Sequence, residues 1–255
     1  MSRRREFIKQ LSFGGLGISL ASLHSFTSIK GLVPGPNSGK SLRILFQGDS
    51  ITDGGRWQNS HDWNHLVGQS YPYLISAKIG YDYPARDLQF FNRGISGNTV
   101  RDLKARWQKD CLDIKPDVLS ILVGINDISK IIHAQPDPSS IESYEKDYRE
   151  ILDQARKANP DLVLVLMDPF VFNLGSTVAD FEKYHESLTA YQKVVKRLAV
   201  AFKAIHIPLG EKFKQAEKFT SPSHWSWDGI HPMPAGHELI ARGWIKAVSK
   251  VIGIY

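Results

Sequence analysis

Short apolar runs alternate with helical stripes along most of this chain. Leu42–Gln47, Leu88–Asn92, Val118–Val123, Leu162–Met167 and the weaker Ala204–Ile207 have the length and apolar continuity of buried strands. Between them, polar stretches carry apolar residues at helical spacing. Pro72–Ile79 and Val100–Lys109 are short examples, and Ile141–Ala158 places Ile141, Tyr144, Tyr148, Ile151, Leu152 and Ala155 on one stripe. Phe181–Phe202 and Pro234–Ile252 complete the predicted helices, with Pro234 suited to a first helical position. This alternation predicts an α/β fold: a three-layer α/β/α sandwich around a parallel, roughly five-stranded sheet, joined by right-handed crossovers.

In such a sheet, ligands gather at the carboxyl ends of the strands, beside the switch in strand order. Three post-strand loops are therefore the places to look for chemistry. The first, Gly48-Asp49-Ser50, admits two readings: Asp and Ser there can cap the next helix, or Ser50 can be a nucleophile mounted at a strand end. The second, "NRGISGNT", has two glycines, which permit a tight turn or a close approach to a ligand. In the third, "VGIND", Asn126 can cap a helix or donate its side-chain amide into the cleft.

The tail bears on these choices. "SWDGIHP" holds Asp228 and His231 three residues apart. In a turn, that spacing lets a carboxylate orient one imidazole nitrogen and leaves the other free as the general base that a weak serine nucleophile needs. His224 and His237 are rival bases, but His237 falls inside the predicted last helix and His224 has no equally placed acid.

Gly48-Asp49-Ser50-Ile51-Thr52, the Asn92–Gly97 loop, Gly124-Ile125-Asn126-Asp127 and Asp228–His231 stand in the order of the four blocks of the SGNH (GDSL) hydrolases, and the resemblance runs from Leu42 to Ile252. "FFNRGISGNTVRDLKARW" and "PDVLSILVGIND" further resemble bacterial serine acetylesterases acting on xylan and xylo-oligosaccharides. The resemblance implies an SGNH-hydrolase, flavodoxin-like fold. It implies Ser50 as nucleophile, His231 as base and Asp228 as the orienting acid. The oxyanion donors would be the N–H groups of Ser50 and Gly97 and the Asn126 amide. Gly97, rather than Gly94, matches the donor glycine as the second glycine of N-x-G-x-x-G. Asp49 and Asp127 are expected to hold the site's shape without titrating in the mechanism, and Trp227 to wall the pocket with a face suited to sugar rings. Ile51 replaces the leucine of the name-giving motif, an apolar exchange.

No cofactor or metal is expected. Asp49, Asp53, His61 and Asp62 can be imagined as ligands, but their spacing matches no metal template. The implied partner is a small acylated substrate, an acetylated oligosaccharide, with a lysophospholipase or thioesterase as the alternative and a non-catalytic glycan-binding relative as a remote one. An oligomer is compatible with the sequence.

Composition changes this picture mainly at the amino end. The net charge of +6 invites nucleic acid, but residues 1–30 carry +4 of it, leaving no basic stripe for a phosphate backbone. Those residues combine a charged leader, "MSRRREFIKQ", with the Gly- and Ser-diluted apolar stretch "LSFGGLGISLASLHSF". They are expected to be a twin-arginine-like export signal, giving a periplasmic or extracellular bacterial enzyme with no stable membrane span after processing. "GLVPGPNSGK", residues 31–40, reads as a linker, and residues 41–255 as one hydrolase domain. The single cysteine, Cys111, rules out an internal disulfide and is expected to be a small buried hydrophobe at a helix or its end.

Overall fold

A computed structural model of the chain describes residues 41–58, 62–136, 138 and 140–254, with backbone alone at residues 63 and 64. The expected export signal and linker, and His61, lie outside the described residues. Five strands form the sheet: β1 (Leu42–Gly48), β2 (Leu88–Asn92), β3 (Val118–Leu122), β4 (Val163–Met167) and β5 (Ile205–Ile207). All pair in parallel in the order β2-β1-β3-β4-β5. Ile44 of β1 lies opposite Phe90 of β2 and Val118 of β3, and Ile44, Leu45 and Phe46 are fully buried because helices cover both faces.

This order sets the site. The chain leaves β1 towards β2 on one side and returns to β3 on the other, so strand order reverses between β1 and β3. The crevice above that pair is bounded by the loops that follow β1, β2 and β3, the three loops singled out by their sequence.

Most helices match their predicted stripes. Ile141–Ala158 buries Tyr144, Tyr148, Ile151, Leu152 and Ala155. The last helix, Pro234–Val248, begins on its proline and inserts Trp244, whose indole donates to Ser120 Oγ on β3 at 2.6 Å. Two predictions differ from the structure. Val100–Lys109 divides into helices Val100–Ala105 and Trp107–Asp110, with Arg106 between them turned inward onto Asn98 Oδ1 (2.9 Å) and Asp110 Oδ2 (3.0 Å). The final helix stops at Val248, four residues short of Ile252. Cys111 is buried and ends the helix Trp107–Asp110, as expected.

Among the described residues, five α-helices have no predicted range: Ser50–Asp53, Trp63–Val67, Ile125–Ile132, Leu209–Ala216 and Pro222–Trp225. Each has eight residues or fewer, below the window of about 11–18 residues over which helical spacing is read most securely. Among the described residues, no helix is long and apolar enough to cross a membrane.

Candidate active site

At the end of β1 the chain turns directly into a short helix, Ser50–Asp53. Gly48 is required there: a β-carbon on it would stand 2.3 Å from both Leu122 O and Thr52 Oγ1. The two readings of Ser50 resolve by one position. The cap is Asp49, whose Oδ1 accepts from Ile51 N at 3.0 Å, and Ser50 is the first helical residue. Its hydroxyl is therefore not spent on capping.

That hydroxyl lies 2.8 Å from His231 Nε2, and His231 Nδ1 lies 2.6 Å from Asp228 Oδ2. The other carboxylate oxygen of Asp228 accepts from His231 N at 2.7 Å and Ile230 N at 3.0 Å. One acid thus sets both the backbone turn and the ring. Burial works to raise the Asp228 pKa, but the bonds from His231 and Ile230 outweigh it and hold the carboxyl below its usual range. An ionised Asp228 keeps the imidazole proton on Nδ1, so Nε2 accepts from the Ser50 hydroxyl.

The turn is locked from both sides. Ser226 Oγ donates to His231 O at 2.8 Å and accepts from Gly229 N at 3.0 Å. From the segment after β4, Ser176 N and Oγ donate to Asp228 O (3.0 and 2.9 Å), and Phe172 N donates to Gly229 O (2.8 Å). The Trp227 ring stacks on His231, with centroids 5.7 Å apart and an 18° tilt, yet remains 63% exposed.

The loop after β2 separates its two glycines. Gly94 N donates to Asn92 Oδ1 at 2.9 Å and is consumed. Gly97, at φ +81°, turns the backbone at an exposed tip where an added β-carbon would meet nothing within 4 Å. Among the described residues the N–H groups of Ser50 and Gly97 have no acceptor. Beyond β3, Gly124 at φ +135° precedes the helix Ile125–Ile132, so Asn126 lies inside that helix and does not cap it. Asn126 Nδ2 donates to Asn98 O at 3.1 Å, which brings this amide to the Gly97 loop. An amide nitrogen carries two hydrogens, so one remains to donate.

Asp49 and Asp127, next in sequence to Ser50 and Asn126, are almost wholly buried. Asp127 accepts from Val100 N through both oxygens at 3.3 Å, tying the helix Ile125–Ile132 to the helix Val100–Ala105 that follows the Gly97 loop. Burial pushes both carboxyls up to about 7, against the pull of their backbone bonds.

The rival histidines are placed elsewhere. His224 packs edge-on to Trp225, and His237 sits within the last helix, where burial and then the charge of His231 push its imidazole down to about 4. Of the imagined metal ligands among the described residues, Asp49 accepts from Ile51 N, Asp53 bonds to Ser96 and Asp62 to His65. Among the described residues no group of three metal-binding side chains assembles. The supports of the site carry no motif of their own in the sequence: Ser176 and Ser226 are ordinary serines until the fold places them against the tail.

Comparison with known proteins finds relatives over most of the chain. The model of the GDSL-like lipase/acylhydrolase family matches residues 46–239. An acetylxylan esterase of Geobacillus stearothermophilus is 32% identical over 213 residues, covering 82% of this chain and 95% of that protein. Among solved structures, a GDSL-like lipase from Parabacteroides merdae superposes with a TM-score of 0.78 at 35% identity, over 85% of this chain and 99% of that one. A variant of the Geobacillus acetyl-xylooligosaccharide esterase follows at 0.74 and 30% identity, over 85% and 96%. Other structures of the Geobacillus enzyme are described as catalytic mutants, in which a serine, an aspartate and a histidine are each replaced by alanine.

Proposed function

Because the chain belongs to the GDSL-like lipase/acylhydrolase family and is a carboxylic ester hydrolase, we propose that it removes acetyl groups from carbohydrate, xylan-derived oligosaccharides above all, through an acyl-enzyme on Ser50. The observation that carries the chemistry is the unbroken chain Ser50 Oγ–His231 Nε2 and His231 Nδ1–Asp228 Oδ2. Ser50 Oγ attacks the ester carbonyl as its proton passes to His231 Nε2. The tetrahedral oxygen is met by the N–H groups of Ser50 and Gly97 and the free hydrogen of the Asn126 amide. Collapse expels the sugar oxygen, which takes the proton from His231. Water then gives a proton to His231 and attacks the acetyl carbonyl, and Ser50 leaves with that proton as acetate departs.

Support for the substrate comes from the acetylxylan esterase relative and from the exposed Trp227 face above His231, which suits a sugar ring. A lysophospholipase or thioesterase would use the same triad with a long acyl chain. The intact hydrogen-bonded triad speaks against a non-catalytic glycan binder. The basic, apolar leader supports export to the periplasm or beyond. Cell fractionation of the full chain and of a variant with both Arg4 and Arg5 replaced by lysine tests this: cytoplasmic retention of the full chain refutes it.

The decisive measurement compares acetate release from acetylated xylo-oligosaccharides with cleavage of a lysolipid and of a long-chain acyl ester, with Ser50→Ala as control. Acetate release that disappears in Ser50→Ala is expected. Fast lysolipid cleavage without acetate release overturns the substrate, and undiminished activity in Ser50→Ala overturns the mechanism.

A further inference from the structure

Two of the three oxyanion donors come from different elements, Ser50 from the helix after β1 and Gly97 from the loop after β2. Their separation must be held to a fraction of an ångström, because misplacement on the scale of about 1 Å can cost roughly a hundredfold in rate. Yet Ser96 and Gly97 form an exposed tip, with nothing packed over the glycine.

The tip is gripped by one buried carboxylate. Asp53 Oδ2 accepts from both Ser96 Oγ (2.8 Å) and Ser96 N (3.2 Å). Ser96 supplies the carbonyl half of the peptide unit whose nitrogen is Gly97 N, so fixing Ser96 orients that N–H. Asp53 also ends the short helix that begins with Ser50, and its own N donates to Asp49 O at 2.8 Å. The same carboxylate is therefore rigidly coupled to the nucleophile and to the opposite donor.

Its neighbours maintain the arrangement. Arg56 Nε lies 3.6 Å from Asp53 Oδ1 and donates to Gly94 O at 2.8 Å, holding the root of the loop. Asn92 Nδ2 donates to Thr52 O (2.7 Å) and Asp53 O (3.2 Å), clamping the end of the nucleophile helix to the end of β2. Gly94 admits no side chain, since a β-carbon there would stand 2.4 Å from Asp53 N.

We propose that Asp53 is a positioning residue of the oxyanion hole, setting the Gly97 N–H relative to Ser50 through its two bonds to Ser96. This rests on the acyl-transfer reading of Ser50, and it assigns a role to a residue outside the triad and the donors.

The test measures kcat and KM for p-nitrophenyl acetate, affinity for phenylboronic acid and thermal midpoint in Asp53→Ala, Asp53→Asn, Ser96→Ala and Ser96→Thr. The boronate forms a tetrahedral adduct with a serine nucleophile and places an oxygen where the oxyanion develops. Expected are kcat losses of about 10- to 100-fold for Asp53→Ala and about 3- to 10-fold for Ser96→Ala, with KM within about twofold. Boronate affinity should fall in proportion, and Ser96→Thr should restore both. Combined with Asn126→Ala, the Asp53→Ala loss should be less than multiplicative, because both act on one charge. If Asp53→Ala does not fold, the exposed Ser96 variants decide. Unchanged kcat in Ser96→Ala, or a fall in kcat with undiminished boronate affinity, overturns the proposal. Ser50→Ala, run alongside, separates the two failures: activity that survives it strikes the nucleophile and not the positioning role.

Discussion

Gly175 lies so close to Asp228 that a β-carbon on the glycine would stand 2.8 Å from the Cα of the acid and 2.9 Å from its carbonyl oxygen. Gly175 also has φ +57°, a left-handed angle that glycine adopts without strain. The segment after β4 is thus a fitted support for the turn that carries Asp228 and His231. Gly175→Val should displace Asp228 and lower kcat at least about tenfold, in keeping with the steep cost of small misplacements at a reacting centre. Steady-state kinetics on an acetyl ester check this, and wild-type turnover in Gly175→Val would show that the turn does not need the support.

Asp228→Asn keeps the size of the side chain but removes the charge that holds the His231 proton on Nδ1. By analogy with other triads, kcat should fall roughly 10⁴-fold through the wrong tautomer. Asp228 also accepts from two backbone N–H groups, so a lowered thermal midpoint should accompany the kinetic loss. A variant with near-normal turnover would remove Asp228 from the mechanism.

Asp127 makes stability depend on pH with a definite sign. Burial raises its folded pKa from 3.8 to about 7, so the folded protein keeps a proton that the unfolded chain has released. The stability tied to that proton is complete below the unfolded value and is lost as pH rises through about 7. His237, pushed down to about 4, acts in the opposite sense: its contribution is lost as pH falls. The readout is therefore the difference between wild type and Asp127→Asn. Melting curves between about pH 5 and about pH 8 should show the variant gaining several degrees on wild type as pH rises. A difference that stays constant across that range would refute the assignment.

Trp227 separates recognition from chemistry. Its ring covers His231 on one side and is open to solvent on the other. Trp227→Ala should raise KM for acetylated xylo-oligosaccharides several-fold more than for p-nitrophenyl acetate, since loss of stacking on one ring costs about 1 kcal/mol. Equal effects on both substrates would leave Trp227 as a support for His231 alone.

The strands and the long helices were legible because their apolar spacing repeats over enough residues to be seen. Ile141–Ala158 agreed to the residue with its predicted limits, and β2 did too. The limits of the helix Ile125–Ile132, which place Asn126 inside it and not at its cap, were not legible, because eight residues hold barely two turns. The break at Arg106 was equally hidden, since it follows from where one guanidinium finds its acceptors. At the site, Asp228 and His231 announced themselves by a spacing within one turn. Asp53 did not, because its partner Ser96 is remote in sequence and the pair meets only when β1 and β2 lie side by side.

By itself, then, the sequence determined the class of fold and the family motifs on the loops after β1, β2 and β3, because each is written in local spacing. Tertiary structure decided what depends on distance between separate elements. It made Asp49 the cap and left the Ser50 hydroxyl for His231. It also spent the Gly94 N–H on Asn92 and left that of Gly97 without an acceptor among the described residues. Hydrogen bonds are made within about 3 Å, and only the packed sheet brings Ser50 to His231 and the Asn126 amide to Asn98 in the loop after β2.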